Sequence, residues 1–209
     1  MATLTLPTPT HALGRRLPQL AVGLLLYGAS MALMVRAALG NSPWTVLHQG
    51  LARTAGLSVG TWTTLTGAVV LLLWIPLRQR PGIGTVGNVL VLGVTMDLTL
   101  AVLPQPHGLL LRVPLLLAGI VLNGLSIGLY VGAGLGPGPR DGLMTGLQRR
   151  TGRPVRLVRT GIELAVLAIG CALGGGVGVG TVGYALAIGP LAQFFLRRCA
   201  VSGPATRNE

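Results

Sequence analysis

The chain has 209 residues, of which 51% are apolar and only 10% charged, with a mean hydropathy of +0.71. Soluble domains carry roughly a quarter charged residues, so this composition excludes an ordinary water-soluble fold. Sixteen basic residues, all arginine, face four acids (Asp97, Asp141, Glu163 and Glu209) for a net charge of +12; because the arginines fall between long apolar runs, the basicity marks membrane topology and argues against a nucleic-acid partner.

Residues 1–17 are rich in Pro and Thr and end on Arg15 and Arg16. They read as a flexible cytoplasmic N-terminus. The charged start resembles a signal peptide, but the apolar run behind it is long and ends in no small-residue cleavage site, so it predicts an uncleaved first span. About 20 apolar residues cross the roughly 30 Å hydrocarbon core. By that measure six segments span: 18–38, 59–77, 84–103, 109–131, 155–173 and 180–197. Clusters of Pro, Gly and Arg separate them, as at Arg78-Gln79-Arg80-Pro81 and Pro104-Gln105-Pro106. Two further stretches, 43–54 and 139–150, are helical in pattern but too short to cross. Each opens on a proline after Ser42 or Gly138, a helix-start signal. Residues 199–209 read as a flexible cytoplasmic tail.

With a cytoplasmic N-terminus and six crossings, the inside segments hold Arg15, Arg16, Arg78, Arg80, Arg140, Arg149, Arg150, Arg153, Arg197, Arg198 and Arg207. The outside segments hold only Arg36 and Arg53, with Arg112 near a span end and Arg156 and Arg159 at the inner end of the fifth span. This is the asymmetry that the positive-inside rule demands. Counting the short helices as spans would instead put Arg78 and Arg80 outside.

Sliding the sequence by 96 residues aligns two halves without a gap, and 27 of the 75 positions from Leu26 to Leu100 are identical to their mates. Leu39-Gly40-Asn41-Ser42-Pro43 falls on Leu135-Gly136-Pro137-Gly138-Pro139, and Gly84-Thr85-Val86-Gly87 on Gly180-Thr181-Val182-Gly183. Each half has an odd number of spans, so halves sharing a fold lie inverted in the membrane. The expectation is an all-α integral membrane protein of six transmembrane helices and two short non-spanning helices, as inverted three-span repeats over 18–103 and 109–198.

The motifs Gly40-Asn41-Ser42-Pro43-Trp44, Val46-Leu47-His48-Gln49-Gly50, Gly60-Thr61-Trp62, Gly136 to Met144, Arg159-Thr160-Gly161-Ile162-Glu163, and Gly180-Thr181 with Gly189-Pro190 resemble those of the YczE/YyaS/YitT bacterial membrane proteins, most closely the YczE-like branch. The resemblance covers about 22–198. It implies a multi-pass protein of the bacterial cytoplasmic membrane and supplies no substrate.

Charges inside apolar spans are costly, about 2.5 to 3.5 kcal/mol even on the lenient insertion scale, and so mark candidate sites. Glu163 has Arg159 four residues before it on the same helical face, an ion pair within one helix. Asp97 has no local cation, and its repeat mate is Gln193. The loop before Arg140 and Asp141 is glycine-rich and feeds a helix start, which suits an anion, although it lacks a P-loop's Lys-Ser/Thr ending and follows no strand. The matching segment of the first half carries Trp44, His48 and Gln49. Each of these residues also has a structural reading: buried pairs or hydrogen bonds for the acids, an interfacial anchor for Trp44, a satisfied polar residue for His48, helix caps for Thr85, Asn88 and Thr181.

Neither the two cysteines, Cys171 and Cys199, nor the histidines form a metal-ligand pattern, and no nucleophile–base set has usable spacing. The reading is therefore a non-enzymatic small-molecule transporter with no cofactor. Its partners are the bilayer and a polar or anionic solute; a homodimer stays open. The competing reading is a membrane scaffold or regulatory partner presenting the Arg149–Arg159 cluster to the cytoplasm.

Overall fold

The computed structural model describes residues 10–200; the expected flexible ends fall largely outside them. Eight helices follow one another: α1 Thr10–Ala37, α2 Pro43–Ala55, α3 Val59–Trp74, α4 Ile83–Val102, α5 Leu109–Gly132, α6 Pro139–Thr151, α7 Val155–Ala172 and α8 Val179–Cys199. All eight helices expected from the sequence are present, and the described residues include no strand. The first helix begins at Thr10, well before the apolar run, because hydropathy registers only the part of a helix that suits hydrocarbon.

Four helices, α1, α4, α5 and α8, are long and apolar enough to cross a membrane. The helices α2 and α3, bent by 113° at a short break, add a fifth crossing if counted together. At 16 residues α3 reaches about 24 Å, short of a full span. The helix α7 carries Arg156, Arg159 and Glu163, which lower its hydropathy.

The core is the pair α1 and α5, with α4 packed on α1 and α8 on α5. Small residues bring these backbones together, the device that substitutes for a hydrophobic driving force in lipid. Gly124, Gly128 and Gly132, one per turn on α5, seat Leu191, Phe195 and Cys199 of α8. In the first half Gly28 of α1 meets Leu92 and Thr95 of α4. Between the halves Asn123 Nδ2 donates to Ser30 Oγ at 2.8 Å, both residues fully buried.

The short helices cross over: α2 packs on α7, and α6 on α3. A Cβ on Gly50 would meet Leu173, and one on Gly146 would meet Leu77, so a residue and its mate 96 positions on make matching contacts. Backbone bonds reciprocate in the same way. Gly84 N donates to the Leu135 carbonyl at 2.9 Å, and Gly180 N to the Leu39 carbonyl at 2.8 Å. The two halves thus make matching backbone contacts with each other. The loops that make them turn through Gly40 and Gly136, whose φ values of 119° and 128° disfavour any residue with a Cβ.

Three arginines away from the main basic segments hold helix ends. Arg36 donates to the Leu100 carbonyl, Arg53 to the Gly174 carbonyl, and Arg112 to the Ala37 and Ala38 carbonyls. Guanidinium groups there satisfy C-terminal carbonyls and oppose the negative end of the helix dipole.

The two halves differ at one seam. The helices α3 and α4 lie against each other through Gly60 and Gly93, where a Cβ on Gly60 would fall 2.1 Å from the Gly93 carbonyl oxygen. The mate of Gly60 is Arg156, and α7 and α8 hardly touch. Gly60→Val should therefore lower the thermal midpoint of the detergent-solubilised protein by an amount corresponding to about 1–3 kcal/mol of overpacking. Gly183→Val, at a position with nothing within 4 Å, should leave it unchanged; equal midpoints for the two variants would contradict the packing described.

Candidate functional site

Both short helices begin at the place where the halves meet. Pro43 and Pro139 occupy the first turns of α2 and α6, where a missing N–H costs nothing. Ser42 caps α2 by accepting from Thr45 N, whereas Gly138 gives α6 no side-chain cap. One residue further on, the Arg140 guanidinium lies 4.7 Å from the centroid of the Trp44 ring, a cation–π contact. Trp44 and Arg140 are repeat mates. The two helix starts therefore meet through a pair of mates.

A cavity of about 220 Å³ opens beside this contact, lined by residues of α1, α2, α5, α6, α7 and α8. Its charged groups are two arginines and two carboxylates. Arg159 Nε donates to Glu163 Oε1 at 2.9 Å, the expected pair one helical turn apart. Asp141 does not pair with adjacent Arg140; its Oδ2 accepts from Tyr130 Oη at 3.1 Å. Each carboxylate is engaged through one oxygen. Tyr27 stacks on Tyr130 at 5.7 Å between centroids, and Tyr184 Oη donates to Asn123 Oδ1 at 3.1 Å. The walls thus balance charge and supply aromatic faces and hydroxyls, a surface suited to a small polar or charged solute. A second, mostly apolar opening of about 260 Å³ runs along the loose α7–α8 seam and shares Glu163 and Pro43 with the first.

Among the residues singled out from the sequence, Arg140, Asp141, Arg159, Glu163, Trp44 and Gln193 meet in the main cavity. His48 lines a smaller cavity next to it, with Trp44 and Arg140. Asp97 and Gln49 lie elsewhere. Asp97 accepts from Gly60 N at 2.9 Å and from Ser58 Oγ at 2.5 Å, capping the start of α3 from across the seam. Gln49 Oε1 accepts from Asn41 Nδ2 at 3.1 Å and Gly176 N at 3.2 Å, tying α2 to the loop before α8. Thr85 and Thr181 do cap, accepting from Gly82 N and Gly178 N. The three tyrosines escaped sequence reading because a phenol in an apolar run costs little. Their scarcity was the available signal: the chain has three, and all three line the cavity.

These features define a polytopic α-helical membrane protein built from two related halves around a central polar cavity. The chain belongs to the family of unknown function DUF6198, whose pattern matches residues 14–197. A protein of Haemophilus influenzae described as uncharacterized is 40% identical over 85% of this chain and 81% of its own length. The uncharacterized membrane protein YczE of Bacillus subtilis is 36% identical, covering 83% of this chain and 80% of that protein. The uncharacterized protein YyaS of the same organism is 27% identical over 77% and 82%. No solved structure matches the chain.

The geometry separates Asp97 from the cavity. Asp97→Ala should cost about 0.5–2 kcal/mol of stability, the usual range for removing an N-cap acceptor. Its thermal shifts with cavity-binding solutes should equal those of the wild type, and loss of those shifts would return Asp97 to the site.

Proposed function

We propose that this protein is a transporter, and not an enzyme, of the bacterial cytoplasmic membrane, moving a polar or anionic metabolite between two inverted three-span halves. The observation that carries the reading is the meeting of the two short-helix N-termini, beside a cavity holding Arg140, Asp141, Arg159 and Glu163. Interrupted helices at the interface of inverted repeats form the midplane sites of many secondary transporters. In this arrangement each short helix is re-entrant. Its loop dips to the bilayer centre, and the helix returns to the surface it left.

The unequal seams support alternating access. The α3–α4 seam is shut by Gly60, Gly93 and Asp97 while the α7–α8 seam is loose, so exchanging the two conformations would expose the same cavity to the opposite side. Under a proton or ion gradient the paired carboxylates are the coupling candidates.

In proteoliposomes screened with pooled polar metabolites, the wild-type chain should accumulate at least one solute under an imposed gradient. Glu163→Gln should reduce that uptake at least tenfold while the protein stays folded. A wild-type protein that moves no solute under any gradient would sink the proposal. Topology is tested separately in a chain lacking Cys171 and Cys199. Cysteines placed at the exposed mates Ala55 and Thr151 should react with an impermeant thiol reagent from opposite sides of the membrane; labelling from one side would rule out inversion.

The exposed Arg149, Arg150 and Arg153 at the end of α6 favour the second reading, a scaffold for an acidic cytoplasmic partner. Crosslinking that loses one specific partner when these arginines are neutralised, with uptake intact, would select it.

A further inference from the structure

Behind the Trp44–Arg140 contact lies a second cavity of about 20 Å³, lined by Trp44, His48, Thr63, Asn88 and Arg140 among others. Of seven buried side-chain polar atoms with no hydrogen-bond partner among the described residues, three belong to residues of this lining: Trp44 Nε1, His48 Nε2 and Asn88 Nδ2. The residues are 6%, 0% and 7% exposed. A buried polar group left without a partner is destabilising, so three at one cavity demand an explanation. Trp44 Nε1 is a donor under every assignment, and Asn88 Nδ2 is one in the orientation the amide takes here. The Thr63 hydroxyl gives its proton to the Val59 carbonyl at 2.9 Å, so His48 Nδ1–H donates to Thr63 Oγ1 at 2.9 Å and His48 Nε2 is left as an acceptor at the edge of the cavity. Arg140 adds a full positive charge, and α6 begins here with no side-chain cap. Asp141, the nearest carboxylate in sequence, is turned to Tyr130 and does not line this cavity.

We propose that this cavity is a binding site for a single halide-sized anion, chloride in the first instance. Its donors are an indole N–H, an amide N–H and a guanidinium beside the positive end of a helix, with no carboxylate in the lining. Its size admits one atom of about the dimensions of a water oxygen or a chloride ion, whereas a carboxylate or phosphate group needs room for several. The anion satisfies the Trp44 and Asn88 donors together and offsets the charge of an arginine held within an apolar bundle. The site would serve the proposed transporter as a structural counter-ion or a co-transported one, but the inference concerns binding and does not rest on transport.

The test uses the purified full-length protein in detergent, with chloride titrated against gluconate at constant ionic strength. The wild-type thermal midpoint should rise saturably with chloride, and radiolabelled chloride should bind at one site per chain. Trp44→Phe, which keeps the ring under Arg140 and removes the N–H, should raise the half-saturating chloride concentration at least tenfold, and Arg140→Gln should abolish saturable binding. Iodide should quench part of the tryptophan fluorescence of the wild type, and that part should vanish in Trp44→Phe even if this variant is less stable. Absence of a chloride-specific response, or the same affinity in Trp44→Phe and the wild type, overturns the proposal and leaves the cavity to water. A response to formate or acetate with none to chloride also overturns it, in favour of a carboxylate reaching in from the larger cavity.

Discussion

A helix broken inside a hydrocarbon layer exposes backbone groups that no solvent can satisfy, so irregular backbone at that depth survives only where protein covers it. The segments 38–42 and 134–138 are breaks between helices, and each takes hydrogen bonds from the opposite half. The Leu135 carbonyl accepts from Gly84 N and the Pro137 carbonyl from Thr85 Oγ1, while the Leu39 carbonyl accepts from Gly180 N and Asn41 N donates to Thr181 Oγ1. The ends of each break are bonded within their own half, through Ala38 N to the Val35 carbonyl and Gly134 N to the Val131 carbonyl, and the middle is bonded by the other half. The crossing of α2 onto α7 and α6 onto α3, the contact of Trp44 with Arg140 and the cavity beside it are all consequences of that exchange.

Charge is handled by the same economy of partners. Of the acids, Asp97 spends itself on the N-terminus of α3, while Asp141 and Glu163, each engaged through one oxygen, line the cavity. Arginines outside the main basic segments are absorbed by helix C-terminal carbonyls. Arg140 differs, since its contact is the face of an indole ring and no acid of the described residues pairs with it. A positive charge so placed gives the centre of the molecule a chemical polarity that the balanced arginines and carboxylates of the main cavity lack.

The helices were legible because the two constraints that make them, apolar length and Pro/Gly interruption, are both written locally. The repeat was legible because 96-residue mates keep small residues wherever backbones approach, as at Gly28 and Gly124. Crossing number was less so. The helix α3 is short and α7 is charged, and both depend on neighbours that hydropathy cannot see. At the site, Arg140, Asp141, Arg159 and Glu163 stood out because ionised groups in lipid are costly. The cost alone could not separate Asp97, which pays for a helix cap, from Glu163, which faces a cavity; that distinction lies in the third dimension. Asn88 reads as a helix cap by its position near the start of α4, yet Thr85 caps that helix and Asn88 Nδ2 remains unpaired.

The halves are most informative where they disagree. Identity at mated positions preserves the frame, but the residues that open the two short helices are dissimilar: Trp44 against Arg140, Thr45 against Asp141, His48 against Met144. A symmetric cradle would present two aromatic or two cationic groups to one another; the actual pair is a cation on a π face, attractive because it is unlike. The seams diverge for the same reason. Gly60 permits α3 and α4 to close, and Arg156 at the mated position, with Gln193 in place of Asp97, has no equivalent close fit to make. The repeat therefore supplies two similar scaffolds, and divergence at a few positions gives the molecule one polar centre with a tight side and a loose one.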